Sequence, residues 1–155
     1  MSTTRLGKLG VGEVDGLVLA LCGLDRLGRR DVAGEILSPE VMLPAVGQGA
    51  VVIECRTADA AVHRLLAPLD DPLTTACVTA ERTMLAALDG SCRTPIAGLA
   101  TIAGDRLSLR GLLLSPDGDA ERRASIGGPV AGARWLGAEL GARLRGDASP
   151  QFGLG

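Results

Sequence analysis

The residue type and setting most suited to chemistry in this chain belong to Cys92. It lies in Leu88-Asp89-Gly90-Ser91-Cys92-Arg93-Thr94-Pro95-Ile96, which reads as a helix end, a Gly-rich turn and the entry to a strand. A side chain on a turn held by two rigid elements can face a cleft, the usual placement for a reacting group. Its thiolate is a soft nucleophile, and Arg93 together with nearby turn amides can lower the thiol pKa. The bland alternative is a half-buried small hydrophobe, which free cysteine commonly is. Spacing alone does not choose between the two.

Other chemistry-bearing types are weaker. Cys22, Cys55, Cys77 and Cys92 are too far apart for any C-x-x-C pair, and the single His63 has no ligand-like neighbour in sequence, so neither a zinc site nor a redox dithiol is expected. Cys22 and Cys55 fall in apolar, strand-like runs and read as buried packing residues. A redox or transfer role for Cys92 alone ranks lowest, because no resolving cysteine and no histidine base lie close to the turn in sequence. Gly47-Gln48-Gly49 is too short for a phosphate cradle and lacks the Lys and Ser/Thr of nucleotide loops. By itself it reads as a tight backbone crossing. Arg5 reads as a solvated surface cation, and Arg26, beside Asp25, as one half of an exposed ion pair worth little.

The elements that position these residues follow from local signals. Asp71 and Pro72 form an N-cap and N1 pair, and Cys77, Ala80, Met84, Leu85 and Leu88 recur at helical spacing, with Gly90 expected as the C′ residue. Beyond the turn the period changes to two. Ile96–Ile102, Leu107–Leu113 and Glu121–Ile126 predict a three-stranded antiparallel meander with turns at Ala103-Gly104-Asp105 and Ser115-Pro116-Asp117-Gly118. Gly127-Gly128-Pro129 is expected to open a last helix, with Val130, Ala133, Leu136, Leu140 and Leu144 covering one sheet face. Upstream, Arg5–Val11 has helical character up to Gly12, while the apolar run Val14–Leu21 and the stretch Ala50–Cys55 read as strands. Ala60–Leu69 reads as a short helix with Val62, Leu65, Leu66 and Leu69 on one face, and residues 147–155 as a frayed tail.

Composition narrows the function classes. With 155 residues and 46% hydrophobic content the chain can build a core, and with one Phe, one Trp and no Tyr that core is aliphatic. The lack of stacking platforms and a net charge of −2 argue against nucleic-acid binding. The longest apolar run, Leu17–Cys22, is far short of a membrane span, and the N-terminus has no apolar signal region. A cytoplasmic protein with no membrane partner is expected.

Four blocks, in order, resemble one family. Gly90-Ser91-Cys92-Arg93-Thr94-Pro95-Ile96-Ala97-Gly98, preceded by Val78-Thr79-Ala80-Glu81-Arg82, is similar to porphobilinogen deaminase, also called hydroxymethylbilane synthase. Leu43-Pro44-Ala45-Val46-Gly47-Gln48-Gly49-Ala50, running on into Ile53-Glu54-Cys55-Arg56, looks like that family's most recognisable motif. Arg5-Leu6 through Asp15, and Gly23-Leu24-Asp25-Arg26-Leu27, resemble the segment before it. The resemblance spans nearly the whole chain but only the C-terminal half of the family's.

The resemblance implies an α/β and α+β fold. A three-stranded antiparallel sheet with helices on one face would form domain 3 (residues 73–146), which carries the cofactor thiol. It would be preceded by a partial periplasmic-binding-protein-like α/β unit, with 1–46 from domain 2 and 47–72 as hinge and returning part of domain 1. The implied activity is head-to-tail condensation of four porphobilinogen molecules, with loss of ammonia, on a dipyrromethane cofactor held by a thioether at Cys92. Arg5 and Arg26 match family arginines that bind cofactor or substrate carboxylates, and Gln48 and Gly49 match residues of a hinge facing the pyrrole cleft. The family's catalytic aspartate has no counterpart here, so no catalytic residue is assigned. Two readings stay open: part of a transferase whose other half lies on a separate chain or was lost from the gene model, and a non-catalytic domain that binds a partner or a tetrapyrrole-like ligand.

Overall fold

A computed structural model of the chain describes residues 2–89, 94–146 and 152–154. It divides into two compact units, Met1–Val41 and Met42–Gly155.

In the first unit, helix α1 (Ser2–Gly10) ends in a turn at Gly12, φ +73°, and Lys8 of its last turn pairs with Glu13. The strand expected over Val14–Leu21 does not form. Residues 14–20 enter no ladder, and Leu21 opens helix α2 (Leu21–Arg26). A continuous apolar run becomes a strand only when neighbouring strands take its hydrogen bonds and cover its faces. This unit has no second strand among the described residues. Cys22 is therefore exposed on a short helix rather than buried in a strand, and Leu24 is the one buried residue among those described in the unit.

The second unit has its core in an open-faced sandwich. Helix α3 (Ala60–Leu66) is capped by Asp59, whose carboxylate accepts from Val62 N at 3.1 Å, and continues as a 3₁₀ turn through Leu69. The helix is where periodicity placed it, but Leu65 and Leu69 are 76% and 68% exposed, so its apolar face is not buried. Helix α4 (Pro72–Ala87) begins as the sequence predicts: Asp71 accepts from Thr74 N at 2.6 Å and Pro72 occupies the first turn. Strands β1 (Ile96–Ala103), β2 (Arg106–Leu114) and β3 (Glu121–Pro129) form the predicted antiparallel meander with β2 central. Gly104, φ +62°, takes the first position of the two-residue β1–β2 turn.

Gly127-Gly128-Pro129 finishes β3 instead of starting the last helix, which is α5 (Ala133–Arg145) after a 3₁₀ turn at Val130–Gly132. The correction has a packing cause. A Cβ at Gly128 would lie 3.0 Å from a methyl of Leu136, so the glycine lets α5 approach the strand. Pro129 is tolerated as the last residue of an edge strand.

Both α4 and α5 pack on one sheet face. Ala80, Met84 and Leu88 meet Leu107, Leu109 and Leu113 of β2 and Leu136, Leu140 and Leu144 of α5, all at most 1% exposed. Each large side chain buried this way contributes about 1.5–3 kcal/mol. Gly98 and Gly111 are cross-strand partners, and together they leave a notch that Met84 fills: a Cβ there would lie 2.5 Å from its Cε and 2.7 Å from its Sδ. Phe152 and Leu154, at 3% and 8% exposure, join the same core, so those two residues are not frayed as the tail reading expected. No helix among the described residues is long and apolar enough to cross a membrane.

The α4 cap predicts an acid dependence. Its hydrogen bonds to Thr74 hold the Asp71 carboxyl below its ordinary value of 3.8. A depressed folded-state pKa means that this stabilisation is present above the unfolded value and is lost as pH falls through the folded one. Asp71→Ala is expected to lower the melting temperature at pH 7, with the gap to wild type closing as the pH falls below the carboxyl's ordinary 3.8 and through its lowered folded-state value. Thermal melts of both proteins across that range check it; a gap that persists undiminished at the acid end would contradict the cap assignment.

Candidate functional site

Cys92 and Arg93 lie outside the described residues, and so does Gly90; the described residues on either side of them are held in place. At the end of α4, Leu88 is the C-cap and Asp89 takes φ +50°, the left-handed conformation that the sequence reading assigned to Gly90. Arg145, at the end of α5, donates to the Ala87 carbonyl at 3.3 Å and to the Asp89 carboxylate. Arg122 of β3 in turn donates to the carbonyls of Leu144 and Arg145, at 3.2 and 3.1 Å, and its guanidinium stands 5.9 Å from the centre of the Phe152 ring. Cations at helix C-termini satisfy carbonyls that have no intrahelical partner and complement the helix dipole. On the far side, the Pro95 carbonyl accepts from Leu114 N at 3.0 Å.

The Leu43–Ala50 segment docks on the free edge of β1. Ala45 bridges Ala97, and the Pro44 carbonyl accepts from Gly98 N at 2.9 Å. Val46 packs against the core, its methyl 3.3 Å from where a Gly98 Cβ would be. Gly47 and Gly49 take φ +74° and +85°, and Gln48 and Gly49 are exposed. The tight crossing expected of these glycines is what they make.

One residue of this arrangement went unassigned in the sequence reading. Glu81, on the buried side of α4 and 5% exposed, accepts from Gly47 N and from Ala100 N, both at 2.7 Å. Hydrogen bonds to a charged group contribute about 1.5–3 kcal/mol each, and a buried carboxylate without them is strongly unfavourable. The available signal was a carboxylate one turn after Cys77, beside the apolar stripe that continues through Ala80 and Met84.

Downstream of the docked segment the expected strand at Ala50–Cys55 is absent. Val51, Val52 and Ile53 are 79%, 73% and 55% exposed and enter no ladder, because no described strand lies beside them. Cys55 is half-buried, and its Sγ lies 3.9 and 3.8 Å from Nδ1 and Nε2 of His63, a neighbour that sequence spacing did not suggest. Among the described residues no group of three His, Cys, Asp or Glu side chains could hold a metal ion. Cys77 is half-buried; burial, then the charges of Glu81 and Asp71, push its thiol up and make it a poor nucleophile.

In the first unit Arg5 on α1 and Arg26 in the last turn of α2 are both exposed. Asp25 pairs with Arg30, whose Nη1 lies 3.0 Å from each carboxylate oxygen, so the expected Asp25–Arg26 pair is not made. Neither Arg5 nor Arg26 has an ion-pair partner among the described residues.

Residues 2–64 match the family model described as "Porphobilinogen deaminase, dipyromethane cofactor binding domain", and residues 75–146 match "Porphobilinogen deaminase, C-terminal domain". The chain belongs to the porphobilinogen deaminase family. A curated relative from Sorangium cellulosum (strain So ce56), named porphobilinogen deaminase, is 55% identical over 146 residues, covering 92% of this chain and 49% of its own length. The chain thus spans about half the length of the curated relative it matches. The gap between the two matches, residues 65–74, runs from the end of α3 into the first turn of α4, and the second match covers the rest of α4, the sheet and α5.

Proposed function

We propose that this chain supplies the C-terminal half of a hydroxymethylbilane synthase, a transferase of tetrapyrrole biosynthesis that joins four porphobilinogen molecules head to tail and releases ammonia at each step. The observation that carries the reading is the succession of the two family matches over 2–64 and 75–146, in one relative at 49% coverage. In this reading residues 1–46 belong to domain 2, 47–72 to the hinge and the returning part of domain 1, and 73–146 to domain 3. The first two form part of a periplasmic-binding-protein-like α/β unit, in which Val14–Leu21 and Ala50–Cys55 would pair with strands of the complementary half.

Cys92 is the anchor of the dipyrromethane. Its sulfur would hold the cofactor through a thioether to a pyrrole methylene, the thiol proton leaving with the displaced ammonia. When bound, the cofactor supplies the pyrrole end onto which the chain grows. This chain's own residues bind and orient. Acetate and propionate groups make the growing chain a polyanion, and guanidinium groups pair with carboxylates in a planar fork. Arg5 and Arg26, exposed and without an ion-pair partner among the described residues, have the donor chemistry such a ligand needs, and Gln48 and Gly49 would face the cleft from a loop open to solvent. The acid that assists ammonia loss is assigned to the N-terminal half of the family's chain. The three described cysteines are free, which fits a reducing, cytoplasmic setting.

The test is coexpression with an N-terminal half from the family, followed by intact mass of this chain. A dipyrromethane-sized addition is expected; its absence from an assembled, folded complex would sink the reading. In the same complex Arg5→Leu and Arg26→Leu are expected to leave the melting temperature near wild type. Each should weaken cofactor assembly or elongation by about tenfold or more, the loss of one charge-assisted carboxylate contact. A large fall in melting temperature with elongation intact would make these arginines structural.

A further inference from the structure

We propose that Glu81 is a positioning residue, a carboxylate clamp that sets the place of the Gly47-Gln48-Gly49 loop on the edge of β1. Its functional consequence rests on the reading of Gln48 and Gly49 as cleft-facing.

Along the free edge of β1 the amides of Gly98 and Ala100 point outward. Gly98 N is taken by the Pro44 carbonyl in strand fashion. Two residues on, the incoming chain has already turned away at Gly47, φ +74°, and Ala100 N is taken by Oε1 of Glu81 instead. The other oxygen of the same carboxylate accepts Gly47 N. One side chain thus ends the pairing, satisfies the next edge amide, and holds the first residue of the loop. Ionised, it presents acceptors only, so both amides are matched at once. A glutamine offers one acceptor and turns an NH₂ toward one of the two donors. Beyond Gly47, the one described bond that steadies the loop backbone is Gln48 N to the Ala45 carbonyl, at 3.3 Å. The clamp is therefore the last strong anchor before the exposed Gln48 and Gly49.

Amide hydrogen exchange on this chain tests the proposal, read as the rate at Gly47 and Ala100 relative to Leu109 in the core. Glu81→Gln is expected to raise that ratio by about tenfold or more, since local opening no longer breaks two charged hydrogen bonds. Leu140→Ala, which loosens the core and leaves the carboxylate in place, is expected to leave the ratio unchanged. An unchanged ratio in Glu81→Gln would overturn the clamp. Should that variant fail to fold, the wild-type protein still decides: scalar couplings across hydrogen bonds are expected from the Gly47 and Ala100 nitrogens to the Glu81 carboxyl carbon, and their absence refutes the geometry. Lack of a Cys92 adduct in the coexpressed wild type would remove the functional reading while the exchange ratio still judged the clamp.

Discussion

Gly137→Leu is expected to abolish the cooperative unfolding transition of the second unit. A Cβ at Gly137 would stand 2.2 Å from the Ala80 carbonyl oxygen and 2.9 Å from the Thr83 Cβ, and one at Gly141 would stand 2.5 Å from the Ala87 Cβ and 2.8 Å from the Met84 oxygen. These neighbours are backbone atoms and first side-chain carbons of α4, which cannot rotate away. Any larger residue must push α4 and α5 apart, and the same helices carry Met84, Leu136 and Leu140 into the sheet. Overpacking alone costs about 1–3 kcal/mol where a core can yield, and more where it cannot. Native domains have a total stability of only about 5–15 kcal/mol. Gly137→Ala should therefore already lower the melting temperature markedly. Gly132→Ala is the control, since a Cβ there meets nothing within 4 Å. Circular dichroism melts of the three variants measure the effect, and a wild-type transition in Gly137→Leu would show that the helices do not pack as closely as described.

Cys92→Ser, in the complex with a complementary half, is expected to remove the covalent adduct entirely and reduce porphobilinogen consumption to background. A serine hydroxyl is not appreciably ionised near neutral pH and needs an adjacent base to become a nucleophile. The comparison that makes the result specific is Cys77→Ser. Burial and the charges of Glu81 and Asp71 keep the Cys77 thiol protonated, so its replacement should leave the adduct in place. Peptide mapping locates the modification; an adduct retained in Cys92→Ser, or found on Cys77, would overturn the assignment of the anchor.

Much of the second unit was legible because its signals are local. The Asp71-Pro72 start of α4, the period-two runs of the meander and the Gly104 turn each depend on residues a few positions apart, and they appear where those rules put them. The same logic failed at Val14–Leu21 and Ala50–Cys55. Apolar content marks a segment that can be a strand, but a ladder needs a neighbouring strand: the first unit has none among its described residues, and Ala50–Cys55 enters no ladder with β1, β2 or β3. It failed at Gly127-Gly128-Pro129 for a related reason: breaker residues were read as a helix start, whereas the glycine at 128 makes room for Leu136 across the layer.

The sequence by itself determined the family, through four motif blocks in order. It also determined the aliphatic core, the helix-meander-helix order of residues 72–145, and the residues Arg5, Arg26, Gln48, Gly49 and Cys92 as candidates for a pyrrole cofactor. Only the tertiary structure decided that Glu81 joins Gly47 to Ala100, that Gly137 and Gly141 are where α5 touches α4, that Gly98 and Gly111 open a notch for Met84, and that Phe152 and Leu154 return to the core. The physical reason is separation along the chain. Caps and periodicity are written within one or two turns, while a buried carboxylate 34 residues from its amide, or a glycine facing another helix, acquires its meaning from a neighbour that no local pattern names.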